Sequence, residues 1–423
     1  MDEEPSPAID FPPIPIIFPL AAMPDSPAPI LACFAHERGD ARVIKRVSAL
    51  QAQGWQVKGY MFHRLRDRPD TPPFWDNVEL GITENRRYLQ RALVFLGSLP
   101  RLWRHREDLR EAAAFYVVNT DNALLALSAR WMARRPAGPA PLILELADVQ
   151  LAMLGTGLRG RLMRAVERFV LRRTALLVTT SPGFIKHYFT PCQKFTGEVF
   201  LLENKVYPST GLDDAGHAPS LSTKGNPLLP GPVRSGRPWV IGYFGAFRCR
   251  RSLQLIRALA TRFPQQLHFY LRGYPSGPDA DGIATLLSGL PNLESAGAYQ
   301  YPEDLPGMYR QIDFNWTFDF SDEGANSTWL LPNRIYEGGL FACPALADAA
   351  TETGQWVASH ATGWTFAEPL EDSLTAFFGT LAPAAWQETK AACASLPRSL
   401  SCGEDDYHAL SMVLHRIVST GPA

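Results

Sequence analysis

Residues 331–347 read LPNRIYEGGLFACPALA. The polar knot Pro332-Asn333-Arg334 opens a short apolar helix that carries Glu337 on its first turns, stops at Gly338-Gly339 and, past Pro344, passes into a strand. The mouth of such a helix has free backbone N–H groups that suit a phosphate or another anion, and Arg334 adds a full charge there. One turn on, Glu337 can accept hydrogen bonds from paired hydroxyls such as those of a ribose. The stretch reads as a nucleotide pocket, against the plainer alternative of a surface turn whose Arg and Glu merely pair.

Upstream of it the chain alternates strands and helices. Residues 239–244 form a strand that ends at the Gly245 turn, and Ser252 opens the next helix. Glycine at 245 lets the backbone approach a ligand, and Arg248 and Arg251 supply cationic forks for a diphosphate. Strand 267–271 follows, then the turn Arg272-Gly273-Tyr274-Pro275, the segment Tyr301-Pro302-Glu303-Asp304-Leu305, a strand at 313–318 and the loop 319–327 (DFSDEGANS). From Trp356 onward the pattern is helical. Residues 209–236, rich in Ser, Gly and Pro and lacking any stripe, read as a linker. With 423 residues and 46% hydrophobic content, two domains of ordinary size are expected.

Before the linker, the apolar run 29–34 is a buried strand ended by the polar turn His36-Glu37-Arg38-Gly39. Asp40 caps a helix striped by Val43, Ile44, Val47 and Leu50, and 55–62 is the next strand. In a doubly wound sheet ligands lie at the carboxyl ends of the strands, so the loop holding His36, Asp40 and Arg42 lies over the cleft. There His36 can serve as acid, base or acceptor contact. Further strands are expected at 115–119, 142–146, 174–180 and 200–205.

Charge is unevenly spread. Residues 28–208 hold 27 Lys and Arg against 16 Asp and Glu, a surplus of +11, whereas 209–423 carry −7 and the first 27 residues −5. A basic lobe suggests an anionic partner, nucleic acid or lipid. Residues 84–112, broken by Pro100, and 158–173 interleave arginines with Leu, Phe, Val, Met and Trp at helical spacing, which favours an anionic membrane surface over nucleic acid. Each also reads as an ordinary surface helix. The six cysteines form no CxxC pair and no metal-ligand spacing with histidines, so a reducing cytoplasm is expected and no metal site. No apolar run is long enough to cross a bilayer. The acidic, Pro-rich residues 1–27 are no signal peptide, and a disordered or loosely docked lead is expected there.

Taken together, these motifs resemble family 4-like glycosyltransferases of the GT-B fold. In their donor signature a basic residue stands three positions before a glutamate and a proline begins the next strand, which are Arg334, Glu337 and Pro344 here. The glutamate that often lies eight residues earlier is replaced by Trp329, with Glu323, Asn326 and Ser327 as stand-ins. The loop Gly-Arg-Leu-x-x-x-Lys-Gly is matched by Gly245 and Arg251; its arginine position is Ala246, so Arg248 provides that charge. Residues 144–148 (LELAD) resemble the strand-end motif in which a histidine precedes an aspartate. Ala147 replaces the histidine and Asp148 stays. Ser181-Pro182-Gly183-Phe184 and Asn204 also match the family's first lobe.

The resemblance implies an α/β protein of two Rossmann-like, doubly wound domains facing a cleft, at 28–208 and 237–403, with a C-terminal helix at 404–423 crossing back to the first domain. It implies hexose transfer, with retention and without metal or other cofactor, from a UDP- or GDP-sugar to a lipid-linked or growing glycan in bacterial exopolysaccharide biosynthesis. Location is then cytoplasmic, peripheral on the inner face of the plasma membrane. Asp148, Arg248 and Arg251 take catalytic roles. Gly245, Arg248, Arg251, Arg272, Gly273, Tyr301, Asn326, Ser327, Asn333, Arg334 and Glu337 bind the donor, and His36, Asp40, Arg42 and Asp148 the acceptor. A nucleotide-sugar epimerase of the same fold and a non-catalytic nucleotide-sugar or glycan-binding protein are the alternatives.

Overall fold

The computed structural model describes residues 27–64, 72–83, 88–136, 138–207, 237–277 and 279–420. The linker 209–236 and all but the last residue of the 1–27 lead lie outside the described residues.

Two parallel sheets form the frame. The first contains β1 (Ile30–Ala35), β2 (Gln56–His63), β3 (Asp76–Ile82), β4 (Ala114–Val118), β5 (Leu142–Leu146), β6 (Leu176–Thr179) and β7 (Val199–Leu201), in the order β3-β2-β1-β4-β5-β6-β7. The second contains β8 (Trp239–Phe247), β9 (Leu267–Pro275), β10 (Leu293–Ser295), β11 (Phe314–Trp316), β12 (Ala345–Asp348) and β13 (Gly363–Phe366), in the order β10-β9-β8-β11-β12-β13. The central strands are largely apolar because both faces are covered. Along β1, Ala32 and Phe34 enter one core while Leu31, Cys33 and Ala35 enter the other. The first core lies under the helices Thr120–Met132 and Leu158–Leu171; the second lies under Ala41–Ala52 and Glu404–Thr420.

The terminal helix therefore crosses back to the first lobe. Its Tyr407, Leu410, Leu414 and Ile417 complete that second core, and Ser411 accepts a hydrogen bond from the Trp55 indole at 2.9 Å. Beneath it Arg46 and Glu145, both fully buried, form a salt bridge at 3.0 Å. Tyr116 donates to Glu145 at 2.6 Å, and the hydroxyl of Tyr407 meets the Arg46 guanidinium.

Several local expectations change. The helix Asn333–Leu340 runs through Gly338 and Gly339, which are small because Asn315 and Ser401 press on them: added Cβ atoms would stand 2.5 and 2.4 Å from those side chains. Pro100 does not break its helix, which spans Tyr88–Arg104 and ends at His105. The carbonyl four residues earlier, at Leu96, belongs to an exposed residue, so solvent can replace the missing amide. The region after Trp356 is not all helix, since β13 pairs along β12. Four residues are too few to display a period.

Candidate functional site

Strand order reverses between β8 and β11, and the crevice beyond the carboxyl ends at such a point is where open α/β sheets bind ligands. Here β8 and β9 bring Gly245 and Gly273 into register, with φ of 122° and 152°. Side chains disfavour both values. A Cβ on Gly273 would lie 1.7 Å from the Gly245 carbonyl oxygen, whereas one on Gly245 would meet nothing within 4 Å. Gly273 lets the strands close on each other; Gly245 turns bare backbone to open space.

Arg334 reaches this spot from the helix mouth. Its Nη1 donates to the Phe244 carbonyl at 3.3 Å, and its guanidinium stands 4.9 Å from the centre of the Tyr243 ring. Burial opposes its charge, but Tyr243 and Asp319 hold it protonated, above its ordinary range. Its Nε is buried without a partner. Arg248 donates to Asp319 at 3.3 Å, and Ser327 Oγ donates to the same carboxylate at 3.4 Å. Burial pushes Asp319 up, yet Arg334, the Ser321 bonds and Arg248 bring it below the usual carboxylate range. Asp319 is thus the ion-pair partner of Arg248 and a nearby counter-charge for Arg334, which itself reaches the backbone just before Gly245.

Two other arginines are engaged elsewhere. Arg251 donates to Glu323 at 3.0 Å and to Glu368, and lies 4.3 Å from the centre of the Phe320 ring. Those ion pairs have to open before it can meet a diphosphate. Arg272 donates to the carbonyls of Gly297 and Ala298, to Tyr270 and to Asp304. Its work is to hold the loop that carries Tyr299 and Tyr301.

Glu337 is buried against that loop and accepts from Tyr309 at 3.1 Å. Burial pushes its carboxyl up, against the pull of Tyr309, Lys45 and Arg334. Burial and the nearby Glu337 charge in turn push the phenols of Tyr299 and Tyr301 up. One hydrogen bond leaves a carboxylate with capacity for ribose hydroxyls.

The lobes touch around the same helix. Asn333 accepts from Asn204 at 2.7 Å, and Asn326 accepts from the Val149 amide at 2.8 Å, next to Asp148. Ser181 donates to the Trp329 carbonyl at 2.5 Å. Gly183 is required beneath it, because a Cβ there would stand 2.4 Å from that oxygen. Trp329 stacks on His187 and packs on the first lobe's core. A tryptophan in place of the family's glutamate therefore joins the lobes.

On the facing lobe, His36, Asp40, Arg42 and Asp148 come together at the ends of β1 and β5. His36 Nε2 lies 3.8 Å from Asp40, and Arg42 lies 3.7 Å from Asp148, which is 60% exposed. Asn119 stands 3.3 Å from His36 Nδ1. Asp40 also caps its helix, accepting from the Arg42 amide at 2.9 Å.

Lys45, Asp319, Tyr299 and Tyr309 stand beside the candidate site residues, and sequence reasoning passed over them. Lys45 donates to the carbonyls of Asn204 at 3.2 Å and Lys205 at 2.8 Å, beside Glu337. Its burial, with Arg46 and Arg42 nearby, drives its pKa well below the lysine range. The available signal was a Lys-Arg pair set inside an apolar stripe. Among the described residues no group of three His, Cys, Asp or Glu is placed to hold a metal ion, and no helix is long and apolar enough to cross a membrane.

No family model matches the chain. It is 32% identical over 349 residues to the succinoglycan biosynthesis protein ExoL of Rhizobium meliloti (strain 1021), covering 82% of this chain and 84% of that protein. Its fold is similar to that of sucrose-phosphate synthase from Thermosynechococcus elongatus, with a TM-score of 0.63 at 14% identity over 93% of this chain and 100% of that one. WaaG, a glycosyltransferase involved in lipopolysaccharide biosynthesis, gives a TM-score of 0.56 at 16% identity over 92% and 100%. Anabaena Alr3699/HepE in complex with UDP and glucose gives 0.58 at 15% over 92% and 98%. At such identities these likenesses concern the fold. The chain belongs to the family of the succinoglycan biosynthesis protein ExoL, and its architecture is the GT-B fold of glycosyltransferases.

Proposed function

We propose that the chain is a glycosyltransferase of exopolysaccharide biosynthesis that moves a hexose from a UDP- or GDP-sugar onto a lipid-linked or growing glycan, with retention. The observation that carries this reading is Arg334 set against the end of β8 beside the bare backbone of Gly245. A departing diphosphate gains negative charge as the glycosidic bond breaks, and preorganised cations stabilise it without reorganising. Arg334, Arg248 and the amides at Asn333 supply that charge with no metal in the scheme. Asp319 pairs with Arg248 and lends charge to Arg334 from nearby; the diphosphate competes with it for both. Glu337 receives the ribose hydroxyls and the loop of Tyr299 and Tyr301 lies along the base.

Across the gap, Asp148 with His36, Asp40 and Arg42 meets the acceptor hydroxyl, Asp148 as contact or base. The Asn326 bond to the Val149 amide couples the donor loop to that carboxylate, so closing the lobes brings both sides in and expels water. The surplus of basic residues in the first lobe supports a location at the anionic inner face of the plasma membrane. HepE, solved with UDP and glucose, makes UDP-sugars the first donors to test.

Calorimetry with UDP- and GDP-sugars, followed by mass spectrometry of products formed with a membrane lipid extract, tests the proposal. Transfer that depends on acceptor is expected. Donor cleavage without acceptor would indicate an epimerase, and binding without turnover under any acceptor a non-catalytic protein.

A further inference from the structure

The first lobe's outer helical layer holds a pocket at the opposite end of the sheet from the cleft. Arg130, Trp131, Arg134, Arg135, Phe169 and Arg173, at the ends of the helices Thr120–Met132 and Leu158–Leu171, surround about 510 Å³. Arg130 and Arg135 donate to the carbonyls of Ala140 and Ala112, just ahead of β5 and β4, which fixes the pocket at the amino ends of the strands.

Four guanidiniums meet here, and no carboxylate among the described residues pairs with any of them. Some other arginines of the lobe are matched, Arg42 with Asp148, Arg46 with Glu145 and Arg110 with Glu107, while Arg101, Arg164 and Arg168 donate to carbonyls outside this hollow. In the pocket the bonds are few. Among the described residues Arg130, Arg135 and Arg173 each reach one carbonyl, Arg173 also lies 3.7 Å over the Phe169 ring, and Arg134 lies 5.5 Å over Trp131. A guanidinium has five N–H donors, so most of each fork is left for an outside acceptor. Burial, with the neighbouring Arg173 charge in the case of Arg130, depresses the pKa of Arg130 and Arg135, as expected of cations that lack a counter-charge. Arginines that merely offset a helix C-terminus account for the bonds to Ala112 and Phe169 but not for that of Arg130 to Ala140. They do not account for four cations sharing one hollow.

The rim is apolar and wet. Trp131 is 61% exposed and Phe169 46%, and they flank the pocket. Leu124 precedes Trp131 by two helical turns, and Leu162 precedes Phe169 by the same interval, both exposed, so each helix carries an apolar stripe leading away from the arginines. A soluble anion needs the guanidiniums but not the stripes; a partner helix needs the stripes but not the bare cations. A phospholipid surface uses both.

We propose that this pocket seats the phosphate of an anionic phospholipid headgroup, with Trp131 and Phe169 entering the interface beside it, so that this helical layer lies on the bilayer. The proposal rests on the reading that an anionic membrane is a partner of the first lobe, and it assigns the site.

Flotation of the full chain with vesicles of phosphatidylglycerol in phosphatidylcholine tests it, using Arg134→Gln/Arg173→Gln, Trp131→Ala and, outside the pocket on the helix Leu158–Leu171, Arg161→Gln. Affinity should fall about fivefold for each pocket arginine removed, with an unchanged thermal midpoint and a smaller loss for Arg161→Gln. Equal flotation of wild type and double variant overturns the pocket and leaves the membrane reading standing. No flotation of the wild type overturns both. Binding of glycerol phosphate in calorimetry without vesicle binding marks a soluble-anion site and also overturns the proposal. Should the double variant fail to fold, Trp131→Ala decides, and undiminished flotation sinks the idea.

Discussion

A buried carboxylate that must receive a ligand's hydroxyls works only while it is charged, and Glu337 is held where charge is costly. Replacing it with Ala should weaken nucleotide-sugar binding by about 1–3 kcal/mol, read by calorimetry; an unchanged affinity removes it from the site. The pH dependence has a definite sign. Because burial raises the Glu337 pKa, affinity should fade on acidification from above the usual carboxylate range and recover as pH rises through it. Glu337→Gln should flatten that profile. Arg334 and Glu337 were legible because one helical turn holds both. Lys45 and Asp319 were not, since their meeting with that turn depends on segments far away in the chain. Sequence showed how many arginines lay near the donor loop but not their partners, and Arg251 and Arg272 turn out to be occupied.

The paired glycines at the ends of β8 and β9 separate stability from binding. Gly273→Ala places a methyl 1.7 Å from a carbonyl oxygen at a φ of 152°, and should cost about 3 kcal/mol or more in urea unfolding. Gly245→Ala meets open space, so its strain is smaller, roughly 1–3 kcal/mol, while the new methyl stands where the diphosphate would approach. Its larger effect should appear in nucleotide affinity; a variant that binds normally would place the diphosphate elsewhere. Long apolar strands such as β1 and β5 were plain from composition. The edge strands β3, β10 and β13 were not, because each lies half-exposed and mixes polar residues with apolar ones. Gly338 and Gly339 misled for a different cause: their smallness answers to Asn315 and Ser401, across the fold.

The two-lobe plan and the returning helix were readable from alternating strand and helix patterns and from the family motifs; the charge inside the first lobe was not. Glu145→Ala should cost about 3–5 kcal/mol, since it leaves the Arg46 guanidinium buried without a counter-charge. Burial raises the Glu145 pKa but Arg46 pulls it below the ordinary value, so its contribution is present above the unfolded pKa and is lost as pH falls through the folded one. Acid unfolding of an Arg46→Met/Glu145→Leu variant should lack that component. Membrane contact through the basic lobe should weaken as salt rises, and flotation indifferent to ionic strength would contradict it. The contact between Tyr407 and Arg46 bears on synthesis as well. A ribosome releases the helix Glu404–Thr420 long after the lobe it completes, so the emerging chain carries an unfinished seam for most of its translation. A product cut short within the second lobe would keep that seam open, with the Arg46 cation missing its phenol.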